Sequence, residues 1–234
     1  MIQFDHVTKI YPVNKDTSVT AIDQVSLSVE NGEFLIITGR SGSGKTTLLN
    51  LAAGLTWPTG GEVLLDGIDM WGLPDAEQSR LRNQKLGFIF QFPSLIPSLT
   101  VLENVILPAS FSGQKSRQVV SERAHQTLER VELADKLNAY PRQLSAGQQQ
   151  RVVIARALIN QPEVLLADEP TSNLDEKTEM EIMSLFRQIH QETGVTILMV
   201  THTSQLVPFS TRTIEMAHGE IFEVMRTSLF PGQD

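Results

Sequence analysis

The residues best suited to chemistry form one glycine-rich stretch near the start of the chain. It matches the pattern G-x-x-x-x-G-K-[ST], in which backbone N–H groups, a lysine and a hydroxyl surround a polyphosphate. An apolar run typical of a buried strand, 34–38, precedes it, and a helical pattern ending at Gly54 follows it. Lys45 would contact the β- and γ-phosphates and Thr46 would ligate Mg²⁺. We therefore expect a nucleotide to be bound by Gly39, Arg40, Ser41, Gly42, Ser43, Gly44, Lys45, Thr46 and Thr47.

A second apolar strand pattern, at 164–168, ends with Asp168 and is followed directly by Glu169. A phosphate-binding loop needs a carboxylate at a neighbouring strand end to hold Mg²⁺, and a base to orient or deprotonate the attacking water. We predict the metal role for Asp168 and the catalytic role for Glu169. Without the glycine-rich loop, the same pair would fit two solvated acids at a strand end equally well.

Two further polar residues follow apolar runs. Gln91 comes after 86–90 and could bind Mg²⁺ or the attacking water through its amide, although a lone glutamine is usually a loop residue. His202 comes after 195–200. It would donate a hydrogen bond to the γ-phosphate as charge develops, although a lone histidine is more often structural.

A second helix start has two interpretations that the residues alone leave open. Ser145 and Gln148 have the S-x-x-Q spacing of a capping box, which any helix can use. The same helix N-terminus, with Gly147, could instead bind the phosphates of a nucleotide that is held by a different subunit.

The elements that position these residues alternate between apolar strands and amphipathic helices. This pattern predicts an α/β fold with a mostly parallel sheet, preceded by an antiparallel β lobe that begins with the alternating residues at 2–4 and 25–29. Tyr11 is expected in the loop between the first strands. We predict one domain, 1–234, with a nucleotide-binding core at 1–90 and 162–234 and an inserted helical lobe at 91–161.

Composition excludes several classes of protein. The 234 residues carry a net charge of −8 and form no dense basic run, which argues against nucleic-acid binding. The absence of cysteine excludes disulfides and thiolate metal sites. The longest uncharged stretch, 86–102, is too short and too rich in proline to span a bilayer, so any membrane role requires a partner.

Taken together, the motifs resemble the nucleotide-binding subunit of an ABC transporter. They match in order and spacing over nearly the whole chain, and the segment from Ser145 to Gln148 is the diagnostic one. Details around 148–152 and 166–171 resemble the group that serves lipoprotein release, macrolide efflux and cell division. The resemblance implies a P-loop NTPase fold and Mg²⁺-dependent ATP hydrolysis by a head-to-tail homodimer. Tyr11 would then stack on adenine, Asp175 would touch across the dimer, and Ala146 departs from the usual glycine.

The resemblance also implies a partner and a location. An integral membrane permease would dock near Gln91–Leu99, where four large apolar residues follow the glutamine: Phe92, Leu95, Ile96 and Leu99. The chain would then be cytoplasmic and peripheral on the inner face of the cell membrane. An alternative from the same family is an ATPase that regulates a membrane partner without transport, as in cell division. A DNA-repair or translation ATPase is disfavoured by the acidic charge.

Overall fold

Ten strands and six α-helices make up the part of the chain that the structure, a computed structural model, describes: residues 1–111 and 117–226. The strands are β1 Ile2–Pro12, β2 Ser18–Val29, β3 Phe34–Thr38, β4 Gly60–Leu65, β5 Ile68–Asp69, β6 Leu86–Ile89, β7 Val164–Asp168, β8 Thr196–Val200, β9 Arg212–Ala217 and β10 Glu220–Arg226. The helices are α1 Lys45–Ala52, α2 Asp75–Lys85, α3 Val101–Ser110, α4 Arg117–Arg130, α5 Ala146–Leu158 and α6 Glu176–Thr193.

The larger sheet has six strands in the order β10-β9-β3-β8-β7-β6. All neighbouring pairs are parallel except β9 and β10, which form an antiparallel hairpin at one edge. Because parallel strands need long crossover connections, helices cover this sheet. The expectation of an α/β fold with a mostly parallel sheet is confirmed.

Alternate residues of the central strands pack into two different cores. Phe34 and Ile36 of β3 lie in a core formed with α3 to α6, whereas Leu35 and Ile37 lie in a core formed with α1 and the smaller sheet. Both faces of the parallel sheet are therefore buried, which explains why its strands are continuously apolar.

The smaller sheet has four strands in the order β2-β1-β4-β5 and is antiparallel, as expected for the β lobe. The expected loop position of Tyr11 is wrong, because Tyr11 lies within β1 and pairs with Val19 of β2. Register shifts follow Phe4 and continue as far as Ile10. These bulges break the period-two pattern from which the length of a strand is judged.

The stretch 91–161 contains α3, α4 and α5 and, among its described residues, no strand. The lobe division at 91 and 161 stays a prediction. Helices α1, α2 and α6 lie outside that stretch, and α2, which precedes β6, is polar on nearly every face. Its buried residue is Gln78, which donates a 2.9 Å hydrogen bond to the carbonyl of Leu73. Within the described part of the chain, none of the helices combines the length and apolar character needed to cross a bilayer.

Candidate functional site

The carboxyl ends of β3, β6, β7 and β8 meet at one edge of the parallel sheet, where ligands of open α/β sheets usually bind. A cavity of about 670 Å³ opens at this edge, between the loop after β3 and the β1–β2 hairpin. Polar and small residues supply most of its lining: Tyr11, Val19, Thr20, Ala21, Ser41, Gly42, Ser43, Gly44, Lys45, Thr46, Thr47, Gln91, Glu169 and His202. Most of the residues predicted to bind nucleotide therefore lie together.

The loop after β3 requires glycine at its last position. Gly44 has φ of 103°, and a Cβ atom there would lie 2.3 Å from the backbone oxygen of Ala21. Only glycine adopts this backbone without strain or a clash. The loop then passes directly into α1, where the N–H of Leu48 donates to the Gly44 carbonyl. The unpaired N–H groups of the first turn of α1 and its helix dipole face the cavity edge, which favours an anion.

Lys45 lies at this helix start and is 6% exposed. Its Nζ donates to the carbonyls of Gly39 at 2.7 Å and Arg40 at 3.0 Å. Burial lowers the pKa of Lys45, while the carboxylates of Glu169 and Asp168 act in the opposite direction. A phosphate in the cavity would give this partly desolvated ammonium a charged partner.

Thr46 and Asp168 meet across the site. The Thr46 hydroxyl donates a 3.0 Å hydrogen bond to Oδ1 of Asp168, the last residue of β7. Burial raises the pKa of Asp168 above its usual range, and the hydrogen bond from Thr46 partly offsets this increase. Two oxygen groups from different elements are thus held side by side at the edge of the phosphate-binding loop.

Glu169 and His202 form a pair that the sequence did not suggest. His202 Nδ1 is hydrogen-bonded to Oε2 of Glu169, and the Glu169 side chain is 15% exposed. Glu169 also has a positive φ of 47°, an uncommon conformation for a residue other than glycine and one that clusters at functional sites. The signal that could have revealed the pair is the adjacency of β7 and β8, since both residues follow the ends of these strands.

Gln91 and Tyr11 border the cavity from two other directions. Gln91 is exposed two residues beyond β6, and its carbonyl accepts a 3.3 Å hydrogen bond from Nδ2 of Asn173. Tyr11 is 38% exposed and stands beside Val19 of the paired strand. A ring face and an aliphatic side chain together form an apolar wall suited to a flat base.

Ser145, Gly147 and Gln148 lie outside this cavity, at the start of α5. The capping box is present: Ser145 Oγ accepts from the Gln148 N–H at 3.3 Å, and Oε1 of Gln148 accepts from the Ser145 N–H at 3.0 Å. Gly147 packs against the first turn of α6, where an added Cβ would lie 2.6 Å from Cγ2 of Thr178. Asp175 is the N-cap of α6, where its Oδ1 accepts a 3.0 Å hydrogen bond from the Thr178 N–H.

Comparisons with known proteins agree with this geometry. The family described as ABC transporter matches residues 22–172. The chain is 43% identical over 221 residues to the lipoprotein-releasing system ATP-binding protein LolD 1 of Chlorobium chlorochromatii, covering 94% of this chain and 90% of that one. It is 44% identical over 227 residues to the macrolide export ATP-binding/permease protein MacB of Rhodopirellula baltica, covering 97% of this chain and 33% of that larger protein.

A solved structure extends the likeness to the whole fold. It is the dimeric, post-hydrolysis state of the ATP-binding cassette MJ0796, bound to ADP and Pi, from Methanocaldococcus jannaschii. The TM-score is 0.89 at 42% sequence identity, over 98% of this chain and all of that one. The chain belongs to the ABC transporter family. It is an ATP-binding subunit of such a transporter and an ATPase, and the regulatory alternative is not favoured.

Proposed function

We propose that the four groups around the cavity, Lys45, Thr46, Asp168 and Glu169, carry out ATP hydrolysis. The observation that supports this most is their convergence from the end of β7 and the start of α1 at the phosphate-binding loop. Lys45 and the N–H groups of the loop bind the β- and γ-phosphates. Glu169 is the base that orients and deprotonates the attacking water, because its carboxylate lines the cavity one residue beyond β7.

Magnesium fits the oxygen groups of this site. The Thr46 hydroxyl and the Asp168 carboxylate are hard oxygen donors 3.0 Å apart, and the amide of Gln91 borders the same cavity. Within residues 1–111 and 117–226, no group of three or more His, Cys, Asp or Glu side chains could hold a metal. Mg²⁺ needs no such cage, since it binds through one or two protein groups and substrate phosphates. When bound, it neutralises charge on the triphosphate.

His202 acts on Glu169 and on the γ-phosphate. Its Nδ1 donates to the Glu169 carboxylate, and in the doubly protonated imidazolium form Nε2 also donates, toward developing phosphate charge. The replacement Glu169→Gln keeps the size of the side chain but removes the base. We expect it to retain ATP binding and to reduce turnover by at least about a hundredfold. Parent-like turnover would show that Glu169 is not the base.

We further propose that two copies of the chain bind two ATP molecules head to tail. Ser145 and Ala146 are exposed at the start of α5 and do not line the chain's own cavity, so this helix start is accessible to a nucleotide on the other copy. Tyr11 would stack on adenine. Gel filtration of Glu169→Gln with Mg²⁺-ATP should show a dimer. The added variant Ser145→Arg should make it monomeric, and a persisting dimer would contradict the arrangement.

The membrane partner is proposed to dock along Gln91–Leu99. Phe92 is 64% exposed, and next to this stretch Phe90 and Leu55 line an open cavity of about 320 Å³. An apolar groove with exposed aromatic rings suits an amphipathic helix of an integral membrane permease. The chain would then be peripheral on the inner face of the cell membrane. Phe92→Ser should leave thermal unfolding unchanged and reduce recovery with native membranes, whereas full recovery would move the docking site elsewhere.

A further inference from the structure

Lys9 connects the base-binding edge of the cavity to a neighbouring loop. Its Nζ donates a 2.6 Å hydrogen bond to the carbonyl of Trp57 and lies 4.9 Å from the centroid of the Tyr11 ring. A cation above an aromatic face is attracted by the negative charge of that face. Tyr11 lines the cavity, whereas Lys9 is not one of its lining residues. The ammonium therefore contacts the ring without occupying the space in which a base would stack.

The carbonyl that accepts from Lys9 is firmly held. Thr59, two residues beyond Trp57, bonds to β1 on both sides of Lys9: its N–H donates to the Thr8 carbonyl at 2.7 Å, and its hydroxyl accepts from the Ile10 N–H at 3.0 Å. The Trp57 ring stacks on Trp71 with centroids 4.3 Å apart. The loop therefore presents the Trp57 carbonyl at a fixed position, and this carbonyl fixes the ammonium of Lys9.

The Tyr11 ring needs such support. It is 38% exposed and stands near the turn of the β1–β2 hairpin, one residue before the end of β1. An exposed ring samples several rotamers, and a ligand that stacks on it must select one of them at a cost in affinity. Lys9 lies on the same strand two residues away, in a part of β1 with register shifts on both sides. Such bulges redirect side chains.

We propose that Lys9 is a positioning residue for nucleotide binding, holding the Tyr11 ring in the orientation in which a purine base stacks. Lys9 does not touch the nucleotide and acts through the ring. The proposal rests on the proposed stacking of adenine on Tyr11. The role proposed for Lys9 adds that the Trp57 carbonyl holds the Lys9 ammonium, and that this ammonium in turn orients the ring on which the base stacks.

The test is the binding of ATP to Lys9→Met, measured calorimetrically without Mg²⁺ so that no hydrolysis occurs. Because a cation–π contact at an exposed site contributes a modest free energy, we expect ATP affinity to fall about two- to fivefold. Inorganic triphosphate, which has no base, should bind with unchanged affinity. In turnover assays with Mg²⁺, KM should rise while kcat stays near the parent value, and Lys9→Arg should restore KM.

Two further variants make the test decisive. In a Tyr11→Leu background Lys9→Met should have no added effect on ATP affinity. The matched control is Lys15→Met, which removes one positive charge from the adjoining turn, where Lys15 is exposed, and should leave ATP affinity unchanged. Equal losses with and without the Tyr11 ring, or an equal loss for triphosphate, would overturn the proposal.

The stacking of adenine on Tyr11 and the positioning role of Lys9 can be refuted separately. If Tyr11→Leu binds ATP as tightly as the parent, the stacking role is wrong, and the role of Lys9 falls with it. If Tyr11→Leu weakens ATP binding but Lys9→Met does not, stacking stands and the role of Lys9 alone is refuted.

Discussion

Arg156 offers a direct test of how α5 is connected to the loop that carries Gln91. Its guanidinium donates from one nitrogen to the carbonyl of Ser94 at 2.8 Å and from another to the carbonyl of Pro93 at 3.1 Å. No ion pair of Arg156 with a carboxylate is found among the described residues. The replacement Arg156→Leu removes both hydrogen bonds and leaves an apolar side chain.

The size of the effect follows from three terms. Each hydrogen bond from a charged donor contributes about 1.5–3 kcal/mol. Part of this is offset, because burial desolvates the guanidinium, which disfavours its charged form and lowers the pKa of Arg156. The Pro93 and Ser94 carbonyls lie in a partly exposed loop and can take water instead. We therefore expect a net loss of about 1–3 kcal/mol, confined to this loop.

Hydrogen exchange measures this loss directly. The Ile96 N–H is protected by a 2.8 Å hydrogen bond to Oδ1 of Asn104, so it reports on opening of the loop. Its exchange should become about 5- to 150-fold faster in Arg156→Leu. ATP turnover should fall about tenfold, because Gln91 is then held less firmly at the cavity.

The matched control is Arg123→Leu, since among the described residues Arg123 donates to the Ile159 carbonyl at 3.1 Å, away from this loop. It should leave exchange at Ile96 unchanged. If Arg156→Leu also leaves exchange at Ile96 and turnover unchanged, the two hydrogen bonds do not secure the loop and the reasoning fails.

Three other substitutions follow from the geometry. Asp168→Asn keeps an acceptor for the Thr46 hydroxyl but removes a carboxylate whose pKa is raised by burial. An acid whose pKa is raised in the folded state makes the protein lose stability as the pH rises through the range in which that acid titrates. The Tm of the nucleotide-free variant should therefore exceed that of the parent at pH 7 and match it near pH 3, and the reverse trend would refute the cause given for the shift. Gly147→Ala places a methyl 2.6 Å from Cγ2 of Thr178 and should cost about 1–3 kcal/mol in urea unfolding. The control Ala146→Gly removes an exposed methyl at the first position of α5 and should cost less than about 1 kcal/mol. Asn104→Leu breaks hydrogen bonds to three loop carbonyls at a fully buried position and should cost about 2–4 kcal/mol, so a Tm within a degree of the parent would contradict the role of the amide.

The parallel sheet and its strand ends were predictable because local sequence determines both. Each central strand is a short apolar run followed by a polar residue, and parallel strands place such residues at one edge. Asp168 and Glu169 were assigned to one edge on this basis, and the structure places them beside the phosphate-binding loop. Their chemical roles stay predictions until the variants are measured.

Other features depend on contacts that no local pattern encodes. Helix α2 has no apolar stripe, because its buried side is held by polar groups such as Arg82, which donates to the Gly54 carbonyl at 3.3 Å. The position of Tyr11 was missed because bulges shift the alternation of β1. The Glu169–His202 and Lys9–Tyr11 contacts require knowledge of side-chain direction as well as of strand order.

The stacked indoles at the edge of the antiparallel sheet serve as an intrinsic fluorescence probe of that sheet. Trp57 and Trp71 are the only tryptophans of the chain, so intrinsic emission excited at long wavelength arises from one corner of the molecule. Circular dichroism is instead dominated by the helices, most of which pack on the parallel sheet. Melting curves from the two signals would coincide if both sheets unfold as one cooperative unit and would separate if the antiparallel sheet unfolds first.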